Sequence, residues 1–270
     1  MLKTKKLIII FMCLIIIGGV FYRTTYEREK QKKYIQAIKI DKQNNIKKEK
    51  YLVESHKKNL KKNFPMILVI DPGHSSVTNL RKEQQAPGSN IMKIKESGGT
   101  QGINTKTPEY VVNMEVAVKL KSLLSKKGYT VIMTKTKNNQ SLGNIARAEV
   151  GNKINADLVI RIHADGNDNS SVKGASMLVP TNTKNTNIIY KSSKNYGQII
   201  FNSLIKNVGM NNRGVVERND MTGFNWSKVP VILVEMGFQS NATEDKLLIT
   251  DSYQDKIAKS LAEGIDQALK

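Results

Sequence analysis

Cysteine is all but absent from this 270-residue chain: the one example, Cys13, lies inside an apolar run. No disulfide can brace the remainder, and no thiolate can act there as nucleophile or ligand. Histidine is nearly as scarce, with His56, His74 and His163 the full set. Aromatic residues make up 6% of the chain, with a single tryptophan, Trp226. The interleaved aromatic platform that binds single-stranded nucleic acid is therefore missing, despite a net charge of +20. No apolar run reaches the roughly 20 residues usual for a membrane-crossing helix. No internal repeat is visible. What remains available for chemistry is oxygen and imidazole.

The charge is unevenly spread. Residues 1–22 carry Lys3, Lys5 and Lys6 and no acid, followed by an apolar run from Leu7 to Tyr22. This has the n-region and h-region of an export signal, and no small-x-small cleavage site follows it. The expectation is a membrane-anchor helix, an uncleaved signal-anchor, over 1–22, with a removed signal peptide as the alternative. Residues 23–64 hold 14 basic and 5 acidic residues among many Asn and Gln. They read as a basic stalk or linker, solvated and partly helical, which could also touch anionic lipid or an acidic wall polymer. His56 sits there with no motif around it. The compact domain is expected at 65–270, with no nucleic acid among its partners; the export signal places it outside the cytoplasm.

Within 65–270 three short apolar runs end on polar residues. They are Ile67-Leu68-Val69-Ile70-Asp71-Pro72-Gly73-His74, Leu158-Val159-Ile160-Arg161-Ile162-His163 and Val231-Ile232-Leu233-Val234-Glu235. Unbroken runs of this length read as strands covered on both faces. Further strands are expected at Tyr129–Thr134 and Gly174–Val179. Helices are expected from Thr107 as N-cap and Pro108 as first residue to Lys126, and over Ser141–Asn155, Ser192–Val208 and Ser252–Leu269. Ser75–Thr107, with Pro87, Gly88 and several other glycines, reads as a long irregular loop. The alternation implies an α/β domain of three layers with a largely parallel sheet.

In such sheets the working groups collect beyond the carboxyl ends of the strands. His74, His163 and Glu235 stand at such ends, and Glu109 opens the helix after the long loop. Catalytic zinc takes three protein ligands from His, Glu and Asp and keeps a fourth position open. The separations are too wide for a local metal motif, so two readings stand: a metal site, or separate rim residues with hydrogen-bond and salt-bridge partners. Spacing does not say which glutamate would bind metal and which would move protons.

The blocks Ile70-Asp71-Pro72-Gly73-His74, Pro108-Glu109-Tyr110, Arg161-Ile162-His163-Ala164-Asp165 and Val234-Glu235-Met236-Gly237-Phe238-Gln239-Ser240-Asn241 resemble the signature blocks of the zinc-dependent N-acetylmuramoyl-L-alanine amidases of bacterial cell walls, amidase type 3. The resemblance covers roughly 66–270, in the family's order. It implies a twisted, mostly parallel sheet of about six strands flanked by helices. It also implies Zn2+ as cofactor, His74, Glu109 and His163 as metal ligands, and Glu235 as the catalytic glutamate. The reaction it implies is hydrolysis of the amide between the lactyl group of N-acetylmuramic acid and L-alanine of the peptidoglycan stem. Asp71 is expected either to orient His74 or to hold the turn. Three departures stand out: Ser75 and Ser76 where the family commonly has two glycines, a long loop before Pro108, and Arg161 in place of a small residue. Rival readings are a non-catalytic wall- or partner-binding module on the same fold and a zinc peptidase cutting another stem amide. The family's roles span autolysis and spore-cortex maturation, and the regulatory partner, if one exists, is not identified.

Overall fold

In the computed structural model the described residues are Pro65–Lys270 and a few exposed helical positions between 36 and 49. The chain divides into two units, Met1–Phe64 and Pro65–Lys270. The expected anchor at 1–22, most of the stalk and His56 lie outside the described residues. Among the described residues no helix is long and apolar enough to cross a membrane.

Eight strands form in Pro65–Lys270. They are β1 (Ile67–Pro72), β2 (Asn79–Gln84), β3 (Met92–Glu96) and β4 (Thr130–Met133), then β5 (Leu158–Asp165), β6 (Ala175–Pro180), β7 (Asn212–Arg218) and β8 (Val231–Phe238). Six make one sheet in the order β4-β1-β5-β8-β6-β7. All neighbours in it are parallel except β6 against β8, so the last two strands run opposite to the other four. The mixed α/β fold with a mostly parallel six-stranded sheet is as expected.

The period-2 alternation of a strand sorts the apolar runs between two faces. Leu68, Ile70, Ile160, Ile162, Ile232 and Val234 join one core with Val112 and Leu120 of α1 (Glu109–Lys126). The same core takes Ile200 of a helix at Asn187–Val208 and Ile257 of one at Asp251–Leu269. Each such fully buried aliphatic side chain contributes about 1.5–3 kcal/mol. The intervening residues Val69, Val159, Val231 and Leu233 pack on the other face with Ala156 and Phe224. There the sheet meets α2 (Asn144–Lys153), while Phe224 belongs to a short turn of helix at Thr222–Asn225. The same parity carries Asp71, Arg161, His163 and Glu235 to this second face. In register, Asp71 lies beside Arg161, and His163 beside Glu235.

Three expectations need correction. Ser75–Thr107 is not irregular throughout: β2 and β3 pair as an antiparallel hairpin. Its turn is Ala86-Pro87-Gly88-Ser89, with Ser89 N donating to Ala86 O (3.0 Å) and Gly88 at φ 74°, a type II geometry that places Pro and Gly where each fits. The hairpin was missed because β2 is mostly exposed and polar and so shows no apolar alternation. Secondly, helix α1 has Pro108 as its N-cap, without a side-chain cap bond, and begins at Glu109 rather than Pro108. Thirdly, the strand β7 was not expected; at the sheet edge its sequence Asn-Arg-Gly-Val-Val-Glu-Arg is largely polar.

The hairpin is tied to the sheet's second face through polar contacts. Glu83 accepts from Asn144 N (2.6 Å) at the start of α2, and Asn144 Nδ2 donates to Lys95 O (3.1 Å). Trp226 Nε1 donates to Gln84 O (3.0 Å), and Asn225 Nδ2 to Gln85 O (3.3 Å).

Candidate metal centre

His74 follows β1 in the left-handed region, at φ 59°, a conformation that costs a non-glycine residue about 1–3 kcal/mol unless its surroundings hold it. They do. Its Nδ1 donates to Ser97 O (2.9 Å), at the end of the hairpin, and lies 3.5 Å from Glu96 Oε1. After it, Ser75 is buried and its hydroxyl both accepts from Val77 N and donates to Val77 O, each at 3.0 Å. Where two glycines were the family's habit, this hydroxyl closes the turn.

Glu109 is brought in by the first turn of α1. Its Oε1 accepts from Asn113 Nδ2 (3.0 Å) and Ala164 N (3.2 Å), and its Oε2 from Thr100 N (2.9 Å). The same two oxygens face the imidazoles, His163 Nδ1 at 3.0 Å and His74 Nε2 at 3.3 Å. Ligand atoms from His74, Glu109 and His163 all lie within 4.8 Å of one another. Donors bound tetrahedrally at 2.0–2.2 Å to one zinc ion stand about 3.3 Å apart, which the 3.0 and 3.3 Å contacts of Glu109 with the two imidazoles match. The backbone makes room for them. A Cβ at Gly73 would overlap the His163 ring, and one at Gly99 would stand 2.6 Å from Glu109 Oε2 and 2.8 Å from His74 Cδ2.

Glu235 is outside this triplet but next to it, as the register neighbour of His163. Its Oε2 and His163 Nε2 are buried without a hydrogen-bond partner among the described residues. Unpaired buried polar atoms are rare and costly, and two together mark a place where another group belongs. Burial pushes the Glu235 carboxyl well above the usual range, and the negative charges of Glu109 and Asp165 add to that; Arg161 and Arg218 oppose it. Burial alone would also raise Glu109, but His163 and His74 outweigh it and hold it at about 2. Burial lowers His163 to about 4, keeping the ring neutral at physiological pH and able to ligate.

Asp71 does not touch His74 and so does not orient it. Its Oδ1 accepts from Thr134 Oγ1 (2.5 Å) and Arg147 Nη1 (2.7 Å), and its Oδ2 from Arg161 Nε (2.8 Å). Arg147 Nη2 donates to Glu96, which links this buried network to the hairpin. Arg161 finds its place because Gly223 opposite has no side chain; a Cβ there would overlap the guanidinium. Glu96, Ser97, Thr100 and Asn113, which hold the donors, were not foreseen; three of the four lie in the segment read as loop. Gln239 and Asn241 stood in a motif block but without a role. Gln239 Oε1 accepts from Thr100 Oγ1 (2.8 Å), and the Asn241 side chain caps the helix Ala242–Leu248 at Thr243 N and Glu244 N.

A sheet of this topology, with two imidazoles and a carboxylate converging beyond its strand ends beside a second glutamate whose Oε2 has no partner among the described residues, defines an α/β domain with the donor set of a metal-dependent hydrolase. The type 3 N-acetylmuramoyl-L-alanine amidase profile matches residues 68–267, and the chain belongs to that family. It is 26% identical to the N-acetylmuramoyl-L-alanine amidase Rv3717 of Mycobacterium tuberculosis, over 74% of this chain and 85% of that protein. Its fold is like that of Ami1 from Mycobacterium abscessus, with TM-score 0.70 at 24% identity, covering 77% of this chain and 100% of that one. The CwlD amidase of Clostridioides difficile, solved in complex with the GerS lipoprotein, is similar at 25% identity and TM-score 0.62, covering 76% of this chain and 98% of that one.

Proposed function

We propose that this chain is an N-acetylmuramoyl-L-alanine amidase, a hydrolase that cuts the amide between the lactyl group of N-acetylmuramic acid and L-alanine in peptidoglycan. The observation that carries the reading is the meeting of His74, Glu109 and His163 at one point, with Glu235 in register beside His163 and its Oε2 without a partner among the described residues. His74, Glu109 and His163 would hold the metal, and Zn2+ is the ion their donor set suits best. Bound zinc supplies Lewis acidity and lowers the pKa of a water to about 7. Glu235 takes a proton from the attacking water on its free oxygen and hands it to the departing amino group of alanine. Its raised pKa in the absence of a cation is the property expected of a group that must carry a proton part-way through a cycle. Asn113, Thr100 and the Ala164 amide keep both Glu109 oxygens in place. Glu96 and Ser97 do the same for His74.

The same proposal assigns 65–270 as the catalytic domain, 23–64 as a basic stalk and 1–22 as an export signal that anchors the protein outside the cytoplasm. The net positive charge of 23–64 supports contact with anionic lipid or wall polymer. A regulatory protein partner is supported by the likeness to the CwlD amidase, whose structure is in complex with the GerS lipoprotein.

The test is digestion of purified peptidoglycan by the protein, with and without chelator, followed by mass analysis. Stem peptides with a new N-terminal alanine, lost on chelation, are expected. Fragments cut elsewhere in the stem would replace the amidase by a peptidase, and undigested wall would leave only a binding module.

A further inference from the structure

Two clefts lie against residues that hold the candidate metal ligands, and they differ in charge. The first, about 640 Å³, runs between the hairpin and the 218–222 segment and is lined by Lys82, Lys93, Arg161, Arg218 and Asp220 among others. It meets the centre through Ser97, whose carbonyl holds His74. The second, about 500 Å³, is lined by Thr100, Gln101, Gly166, Asn167, Asp168 and Ser240. It meets the centre through Thr100, whose amide holds Glu109. Four cations stand against one carboxylate in the first; the second contains no cation.

We propose that the basic cleft is a carboxylate-reading subsite for the stem peptide, and that it fixes the direction in which the substrate lies across the metal. The inference rests on the amidase reading. The two sides of the scissile amide are chemically unlike. On one is a neutral glycan of hydroxyl and acetamido groups, which the second cleft, lined by amides, hydroxyls and the carboxylate of Asp168, can hydrogen-bond. On the other is a peptide whose second residue, a glutamate joined through its side chain, leaves its α-carboxylate free close to the cut. Charge complementarity places that peptide among the cations and excludes the reverse orientation.

Not every cation in the wall is equally free. Arg161 is engaged by Asp71, and Arg218 forms a two-point pair with Asp220, both contacts at 2.8 Å. The Arg218–Asp220 pair is about two-fifths exposed, and the charge of Lys93 also acts on Asp220. Lys82 and Lys93 are exposed side chains of the hairpin, and Met92 and Ile94 beside them offer apolar surface to the aliphatic part of a peptide.

The test uses the zinc-loaded full chain and two synthetic muramoyl peptides, identical except that the stem glutamate carries a free carboxylate in one and a carboxamide in the other. Wild type is expected to prefer the acid. The double variant Lys82→Gln/Lys93→Gln should raise KM for the acid by about tenfold at low salt, leave kcat unchanged and leave the amide substrate unaffected. The difference should shrink as ionic strength rises. Lys93→Glu should deepen the loss on the acid alone. Equal losses on both substrates, or none on either, would overturn the subsite while leaving the amidase standing. A wild-type protein that cuts neither substrate would remove the amidase reading and the subsite together.

Discussion

Two buried charged clusters lie side by side on the same face of the sheet, and they are balanced differently. In the first, the carboxylates of Asp71 and Glu96 meet the guanidinium groups of Arg147 and Arg161. Burial alone would raise the Asp71 carboxyl, but the two arginines and the Thr134 hydroxyl hold it below the usual range. The carboxylates are met by cations of the chain, and Lys135, buried nearby with its pKa lowered to about 8 chiefly by burial, adds a third. In the second, Glu109 and Glu235 face two imidazoles that carry no fixed charge, and Glu235 Oε2 and His163 Nε2 have no partner among the described residues. Taking an ion out of water costs several kcal/mol unless it is paired, and among the described residues no lysine or arginine forms an ion pair with Glu109 or Glu235. A divalent cation would supply the positive charge that this cluster lacks. The lesson is that cations of the chain close a cluster, while their omission leaves one open for chemistry. Glu96 belongs to both: Arg147 holds one of its oxygens, and the other lies 3.5 Å from His74.

The comparison breaks most completely at His163. His163→Ala should abolish both metal binding and hydrolysis, since a three-ligand site loses affinity steeply with a ligand. Full metal content in that variant, measured by elemental analysis, would remove the site. Next comes Glu235→Gln, expected to keep the metal and the fold but lower kcat by roughly 10²–10⁴-fold, the usual worth of acid–base help. A rate near wild type would make Glu235 structural only. Third, Arg147→Met opens the closed cluster and should destabilise the protein by about 3–5 kcal/mol in urea unfolding, because Asp71 and Glu96 are left buried with too few partners. The pH dependence sharpens this. The Asp71 pKa is depressed on folding, so its contribution is present above 3.8 and is lost as pH falls toward the folded value. The penalty of Arg147→Met should therefore be smaller at pH 3 than at pH 7; an unchanged penalty would mean lost packing rather than charge. The smallest effect is on the open cluster: zinc at a hundred times its Kd should stabilise the wild type by about 2.7 kcal/mol and the His163→Ala protein not at all.

The sheet and the four residues of the open cluster were legible because burial and chemistry wrote strong local signals. Ile67–Ile70 and Val231–Val234 are apolar without interruption, and the polar residue that ends each run declares the strand's carboxyl end. The closed cluster was not legible. Arg147 sits on a helix whose sequence reads as ordinary amphipathic surface, and only the approach of α2 to Asp71 shows that its guanidinium is buried. Glu96 and Ser97 were hidden for a related reason. The hairpin that carries them is fixed by bonds to Asn144, Asn225 and Trp226, each more than 40 residues away in sequence. The turn at Pro87-Gly88 and the alternation Met92-Lys93-Ile94-Lys95 were the signals available. Arg161 was noticed as a departure, but its two partners, Asp71 and Asn144, come from different elements.

The contact between Trp226 and the hairpin gives the molecule its own optical probe. Trp226 is the sole indole of the chain, and its N–H is held by the carbonyl of Gln84 at 3.0 Å. Any event that lifts the hairpin away, whether substrate entry or loss of Glu96 from Arg147, exchanges that carbonyl for water around one fluorophore. Emission from an unlabelled sample thus reports the position of the segment that holds His74, with no second tryptophan to blur the signal.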